Sequence, residues 1–384
     1  MARDQFLVFG SPLIEEPEIA EVVECLRSGW IGTGPRVAQF EERFREYKEA
    51  EHALALNSCT AALHLSLAAL AVGPGSEVIV PTMTFVATSN AVVHTGAVPV
   101  LVDCERDTQN IDPELIEAAI TPRTRAIVVV HFAGRPCAME RITAIAQRHG
   151  LALIEDCAHA IETEFQGRKA GTMGDVGCFS FYVTKNIVTG EGGMAIVRSR
   201  EVADRMRTLA LHGMTKDAWR RFSDKGYIHY DVVDAGFKYN MMDLQAALGI
   251  HQLARIERYW KRRSEIWNAY CEGLCELPVF LPKAPAAGTR HAHHLFTLLL
   301  DLDSVTLTRD EFLERMTAQK IGVGVHYRAV HLHPFYQERY GYRVGQFPAA
   351  EWISDRTLSL PLSPKLTDED VADVIQAVER TLGA

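Results

Sequence analysis

Apolar runs of strand length recur through the first half of the chain, near 53–56, 77–80, 98–102, 125–130, 151–155, 176–182 and 193–197. Helical stretches near 60–71, 86–94, 112–120, 138–149 and 200–211 separate most of them. Strands that are apolar at almost every position are buried on both faces, and strands joined through helices must run parallel. The chain is therefore expected to be α/β, a mainly parallel mixed sheet sandwiched by helices. Two amphipathic helices lead in, one marked by Ile19, Val22, Val23 and Leu26, the other by Val37, Phe40, Phe44 and Tyr47.

From about Met241 to Glu272 a long helical pattern runs without proline, and the loop from Leu277-Pro278 to Gly288 that follows is rich in proline and alanine. Beyond it, a strand at 294–300, a helix near 308–319, a strand at 322–327 and a final helix near 367–381 spell a smaller α+β unit. The expected division is a large domain over 1–250 and a small C-terminal domain over 251–384, joined by the long helix. A length of 384 residues fits roughly two to three domains.

In open α/β sheets ligands gather at the carboxyl ends of strands. The run Leu151 to Glu155 ends in Asp156, and the run Val176 to Thr184 ends in Lys185 ahead of the glycine-rich turn Thr189-Gly190-Glu191-Gly192-Gly193. A lysine at the end of a buried strand suits an imine-forming nucleophile. An aspartate beside it can hold a pyridine nitrogen protonated. Together they are the minimum kit for pyridoxal phosphate. A lysine whose reference pKa is about 10.4 must come down by roughly three pH units to react near neutrality, a change of about 4 kcal/mol, and burial can supply it. Upstream, Asn57-Ser58-Cys59-Thr60 joins a strand to a helix start, where capping hydroxyls and free amides favour a phosphate. Ser180 adds a hydroxyl from the strand before the lysine. That turn holds no glycine, so the GxGxxG of a dinucleotide-binding dehydrogenase is missing.

A net charge of −9 argues against a nucleic-acid surface, and no apolar run reaches membrane-spanning length. Eight cysteines without a CxxC pair point to the reduced cytoplasm. His291 and His293, and separately His326, His331 and His333, invite a metal site. No cysteine or carboxylate pattern accompanies them, so none is expected.

With these residues in hand, the chain resembles the DegT-type sugar aminotransferases, a family of fold-type-I pyridoxal phosphate enzymes. The likeness runs from Gly29-Trp30-Ile31-Gly32-Thr33-Gly34-Pro35 through Ser58-Cys59-Thr60, Pro81-Thr82-Met83-Thr84-Phe85, Glu155-Asp156-Cys157-Ala158-His159 and Ser180-Phe181-Tyr182-Val183-Thr184-Lys185. It continues to Gly236-Phe237-Lys238-Tyr239-Asn240 and Gly324-Val325-His326-Tyr327. It is nearest to the enzymes that aminate UDP-4-keto sugars, including the one forming 4-amino-4-deoxy-L-arabinose for lipid A.

The resemblance implies that Lys185 forms the Schiff base and Asp156 meets the pyridinium. Phe85 would stack on the ring and His159 lie beside it, while Ser58, Cys59, Thr60 and Ser180 form the phosphate site. Asn240 would reach the phosphate of a neighbouring subunit, so a homodimer with shared sites is implied. Thr33, Tyr327, Arg328 and His331 would meet substrate. The expected reaction takes an amino group from L-glutamate, through pyridoxamine phosphate, to a keto carbon of a nucleotide-linked sugar. A branch of the family that dehydrates sugars carries histidine in place of the lysine, and a non-catalytic pyridoxal-binding regulator of the same fold is the other alternative. Cys59 departs from the family, where many relatives carry glycine. The segment Gly213 to Gly236 is expected to be a flap over substrate, with Arg220 and Arg221 as candidates for the diphosphate.

Overall fold

The computed structural model describes residues 3–215 and 230–383. Helices α1 (Glu16–Ser28) and α2 (Pro35–Lys48) both begin with a proline in the first turn, where a missing N–H costs nothing. Val37, Phe40 and Phe44 of α2 are buried as their spacing predicts. In α1 the expected apolar stripe turns outward instead. Ile19 and Leu26 are about half exposed, and the buried positions are Glu18 and Cys25. Glu18 is drawn inward because Gln252 and Arg255 bind its carboxylate.

Strand and helix then alternate as β1 (His52–Leu56), α3 (Cys59–Ala69), β2 (Glu77–Pro81), α4 (Ala87–His94), β3 (Val98–Val102), α5 (Pro113–Ile116), β4 (Thr124–Val130), α6 (Met139–His149) and β5 (Ala152–Asp156). A small hairpin of β6 (Glu164–Phe165) and β7 (Arg168–Lys169) precedes β8 (Val176–Ser180), β9 (Gly193–Val197) and α7 (Arg200–Ala210). Seven strands form one sheet in the order β1-β9-β8-β5-β4-β2-β3. Within it β9 runs antiparallel to both neighbours, and the remaining pairs are parallel.

The two faces of this sheet carry separate cores. Along β4, Ile127 and Val129 pack with residues of α2 and α6, whereas Ala126 and Val128 pack with residues of α3, α4 and α7. Period-two alternation is thus hidden inside a continuous apolar run, because both faces are covered.

The long helical pattern resolves into α8 (Asp243–Ala254) and α9 (Ile256–Gly273), parted at Arg255 with φ −111° and ψ 6°. Arg255 turns its guanidinium to Glu15, Glu18 and the Tyr259 hydroxyl, which ties the break to α1. Next come β10 (Val279–Phe280), β11 (Thr289–Arg290), which pairs with β6, and β12 (Phe296–Leu300). They are followed by α10 (Arg309–Ala318), α11 (Pro334–Tyr340), α12 (Pro348–Arg356), β13 (Thr357–Leu360) and α13 (Asp368–Leu382). Strands β10, β12 and β13 form an antiparallel sheet, whose core takes residues from α9, α10 and α13.

The strand expected at 322–327 does not form. Gly324 makes one bridge to Ser359 of β13, and beyond it His326 and Tyr327, joined by a cis peptide bond, line the same cavity. Neighbours on a strand face opposite sides, so two adjacent side chains serving one cavity cannot both belong to a regular strand.

Candidate active site

At the carboxyl ends of the central strands lies a cavity of about 510 Å³ whose walls include Asp156, Ser180 and Lys185. Parallel pairing of β5 with β8 places Asp156 opposite Cys178, two residues short of Ser180. Ser58, Cys59 and Thr60, from the first turn of α3, line another wall. The Ser58 hydroxyl accepts from the amide of Ala61 at 3.0 Å and so caps that helix. Next to this turn runs Gly193 of β9. A Cβ there would stand 2.4 Å from the Ser58 carbonyl carbon, so only glycine lets the two backbones approach this closely.

Burial controls the charges. It brings the Lys185 amine down to about 8, against an opposing pull from Asp156. Asp156 is raised above the usual carboxylate range by burial, opposed by the Ala158 amide, the Thr88 hydroxyl and Lys185. Its two oxygens accept from Ala158 N–H at 3.1 Å and Thr88 Oγ1 at 2.8 Å. Thr84 Oγ1 lies 2.9 Å from Thr88 Oγ1 and supports it from behind. Cys59 Sγ sits 3.9 Å from Asp156 Oδ1, and burial, with Asp156 second, keeps it a thiol.

His159 is buried at the same wall, held well below its ordinary pKa by burial, then by Lys185 and His326. The Ala133 amide donates to its Nδ1 at 3.2 Å. In a neutral imidazole the proton then belongs on Nε2, which lies 3.2 Å from Tyr327 Oη. Tyr327 thereby accepts from His159, and its own hydroxyl proton is left to donate elsewhere. Burial also raises the Tyr327 phenol, so it remains protonated. Phe85 stands at the mouth, 57% exposed, with its ring 5.7 Å from that of Tyr327.

Other expected site residues lie elsewhere. Asn240 donates to Thr33 Oγ1 at 2.6 Å, and the two line a second cavity of about 450 Å³ beside α2 and Arg207. His331 is buried between Thr82 Oγ1 and Glu351 Oε1, each at 2.9 Å, and Arg328 donates to the Leu332 carbonyl. Neither belongs to the walls of the Lys185 cavity. Arg220 and Arg221 lie outside the described residues. Conversely Thr88, Tyr182, Glu191 and His326 line the cavity without having been assigned to it from the sequence. Thr88 carried a usable signal, a small hydroxyl residue three positions after Phe85.

His291 and His293 stack at 4.8 Å beneath Trp267, while His326 bonds Ser359 at 2.9 Å, apart from His331. Among the described residues, His131, Glu155 and Cys157 come close enough to share an ion. Glu155 is instead filled by His131 Nε2 and by the amides of Gly171, Met173 and Gly174. It anchors the turn ahead of β8.

A family model for DegT/DnrJ/EryC1/StrS aminotransferases matches residues 12–379. The chain belongs to this family. Its aminotransferases use pyridoxal 5′-phosphate, carried as pyridoxamine 5′-phosphate between half-reactions. The Streptococcus pneumoniae protein Spr1654 has been solved in PMP-form (TM-score 0.92, 33% identity, 98% of this chain and 99% of that one) and in PLP-form. The chain is also similar to Helicobacter pylori PseC, an aminotransferase involved in the biosynthesis of pseudoaminic acid (TM-score 0.91, 28% identity, 99% of this chain and 100% of that one). With the spore coat polysaccharide biosynthesis protein SpsC of Bacillus subtilis it shares 48% identity over 377 residues, 98% of this chain and 97% of that protein. The donor set of the cavity suits the family's cofactor. A buried carboxylate short of a cation, a lysine of lowered basicity and a capped helix N-terminus are complementary to a pyridinium, an aldehyde and a phosphate.

Proposed function

We propose that the chain moves the amino group of L-glutamate to the keto carbon at C4 of a nucleotide-linked sugar, as a homodimer, in building a cell-surface glycan. The observation that carries this reading is the shared cavity of Lys185 and Asp156 at the strand ends, with the α3 N-terminus beside them. When bound, pyridoxal phosphate supplies the electron sink and carries the amino group. Lys185 would hold the aldehyde through its free amine, and its Nζ would take and return a proton as general base and acid. Asp156 holds the ring-nitrogen proton, its two oxygens oriented by Thr88 and Ala158. Ser58, Thr60 and Ser180 hydroxyls, with the amides of Cys59 and Thr60, would hold the phosphate. Phe85 at the mouth and His159 in the wall would bound the space for the ring.

Asn240, paired with Thr33 away from the Lys185 cavity, serves the cavity of a second copy. Tyr327 donates its hydroxyl to a substrate oxygen. Arg328 and His331, outside the cavity walls, hold the segment that carries Tyr327. Support for a sugar comes from SpsC and PseC, whose names place them in polysaccharide and pseudoaminic acid biosynthesis. A UDP-linked pentose or hexose of lipid A type is the finer form of the reading.

The test is incubation of the purified protein with glutamate and UDP-, dTDP- or GDP-linked 4-keto sugars, with mass spectrometry for the amine and NMR for its position. An amine at C4 supports the proposal. Absence of product from all of them, together with no glutamate/2-oxoglutarate exchange, overturns it.

A further inference from the structure

Behind Lys185 the core contains an ion pair with no role in the reaction so far described. Arg263 of α9 and Glu162 are both buried, 2% and 1% exposed, and the guanidinium NH2 group meets Glu162 Oε1. The Arg263 Nε has no partner among the described residues. Burying two charges costs several kcal/mol each unless the geometry satisfies them fully, and an apolar pair of similar size is often as stable or more so. Stability alone is a poor reason for such a pair. Direction is a better one.

The other Glu162 oxygen accepts from Asn186 Nδ2 at 2.8 Å, and the same amide nitrogen donates to the Ala292 carbonyl at 3.1 Å. Both partners are acceptors. Rotating the amide would set its oxygen against a carboxylate and a carbonyl, so charge fixes which end is which. Asn186 Oδ1 must therefore accept, and it lies 2.9 Å from His294 Nδ1. His294 is held neutral by burial and neighbouring cations, and its ring packs on His159 with centroids 4.4 Å apart. Asn186 is also the residue after Lys185, whose own N–H is tied to the Tyr182 carbonyl at 2.8 Å.

We infer that Arg263, Glu162 and Asn186 are positioning residues for Lys185: the ion pair locks the Asn186 amide, and the amide holds the lysine's backbone and the histidine layer under the ring. This rests on the proposed role of Lys185. Its side chain has to change partners during turnover, so its base must stay still while its tip moves. Misplacement by about 1 Å at a reacting group can cost about 100-fold in rate.

The test compares wild type with Asn186→Leu, with Arg263→Lys, and with the double change Glu162→Leu/Arg263→Leu, which leaves no unpaired charge in the core. Three readouts are taken: the single-turnover rate with glutamate and its saturating concentration, the rate at which the apoenzyme captures pyridoxal phosphate on Lys185, and hydrogen exchange over residues 183–190. Asn186→Leu and the double variant should both lose about 100-fold in turnover, with the saturating glutamate concentration within about twofold of wild type. Capture should slow and exchange should rise, while Arg263→Lys recovers most of both. Wild-type turnover and capture in the folded double variant overturn the inference, since the pair would then be packing alone. If wild type itself transfers no amino group but capture still slows in the variants, the proposed function fails and the clamp on Lys185 stands.

Discussion

Lys185 buried with its pKa at about 8 makes a measurable claim about the apoenzyme. The neutral fraction of such an amine is about 9% at pH 7 and about 91% at pH 9, whereas an ordinary lysine near 10.5 offers about 0.03% and about 3%. The perturbation is therefore pH alone. Stopped-flow absorbance follows capture of pyridoxal phosphate by apoenzyme, and each rate is divided by that of a blocked lysine in the same buffer, which cancels the cofactor's own ionisations. The ratio should fall roughly tenfold from pH 7 to pH 9, from about 300 to about 30 before any gain from binding. A ratio flat across that window would mean an amine as exposed as the free one, and the burial argument would be wrong. Linkage carries the same sign. A lysine whose folded pKa lies below its unfolded value adds stability above the unfolded value of about 10.5 and loses it as pH falls through about 8, a swing of about 3 kcal/mol.

Three further outcomes are expected. Asp156→Asn should weaken cofactor binding by about 1.5–3 kcal/mol, the usual loss for a hydrogen bond to a charged group, in equilibrium dialysis of a protein that still folds; unchanged affinity would remove Asp156 from the ring nitrogen. Gly193→Ala, which forces a Cβ to within 2.4 Å of Ser58, should destabilise by about 1–3 kcal/mol in urea unfolding and loosen phosphate binding; a neutral change would show that β9 and the α3 turn can part at no cost. Mixing an Asn240→Ala protein with a Lys185→Ala protein should restore glutamate exchange in hybrid dimers, each having one intact site. No recovery would place Asn240 outside the neighbouring cavity.

Much of the fold was legible because its signals are local. An apolar run four or more residues long between helix-period segments marks a doubly covered strand wherever it occurs, and Asp156 could be placed at a strand end from its own neighbourhood. The exceptions have a common cause. Ile19 and Leu26 look like a core stripe, but α1 is held instead through Glu18, whose partners Gln252 and Arg255 lie more than two hundred residues away. The run at 322–327 has strand composition, yet it bridges β13 only at Gly324 and then turns to deliver His326 and Tyr327 to the cavity.

The candidate site divides in the same way. Asp156 and the Ser58–Thr60 turn declare themselves by residue type at the end of an element, where carboxylates and anions can be presented, whereas the strand expected to run up to Lys185 stops at Ser180 and a turn carries the lysine to the cavity. Which of the remaining polar residues join them depends on approach between distant segments. Thr88 meets Asp156 across sixty-eight positions, Tyr327 meets His159 across 168, and Arg263 reaches Asn186 only through Glu162. Periodicity and capping are written into neighbouring residues, so the sequence by itself determined the layered α/β framework and the carboxylate at one of its strand ends. Proton direction, the lowered basicity of the lysine and the sorting of His331 away from the cavity arise from burial and long-range contact, and only the tertiary structure decided them.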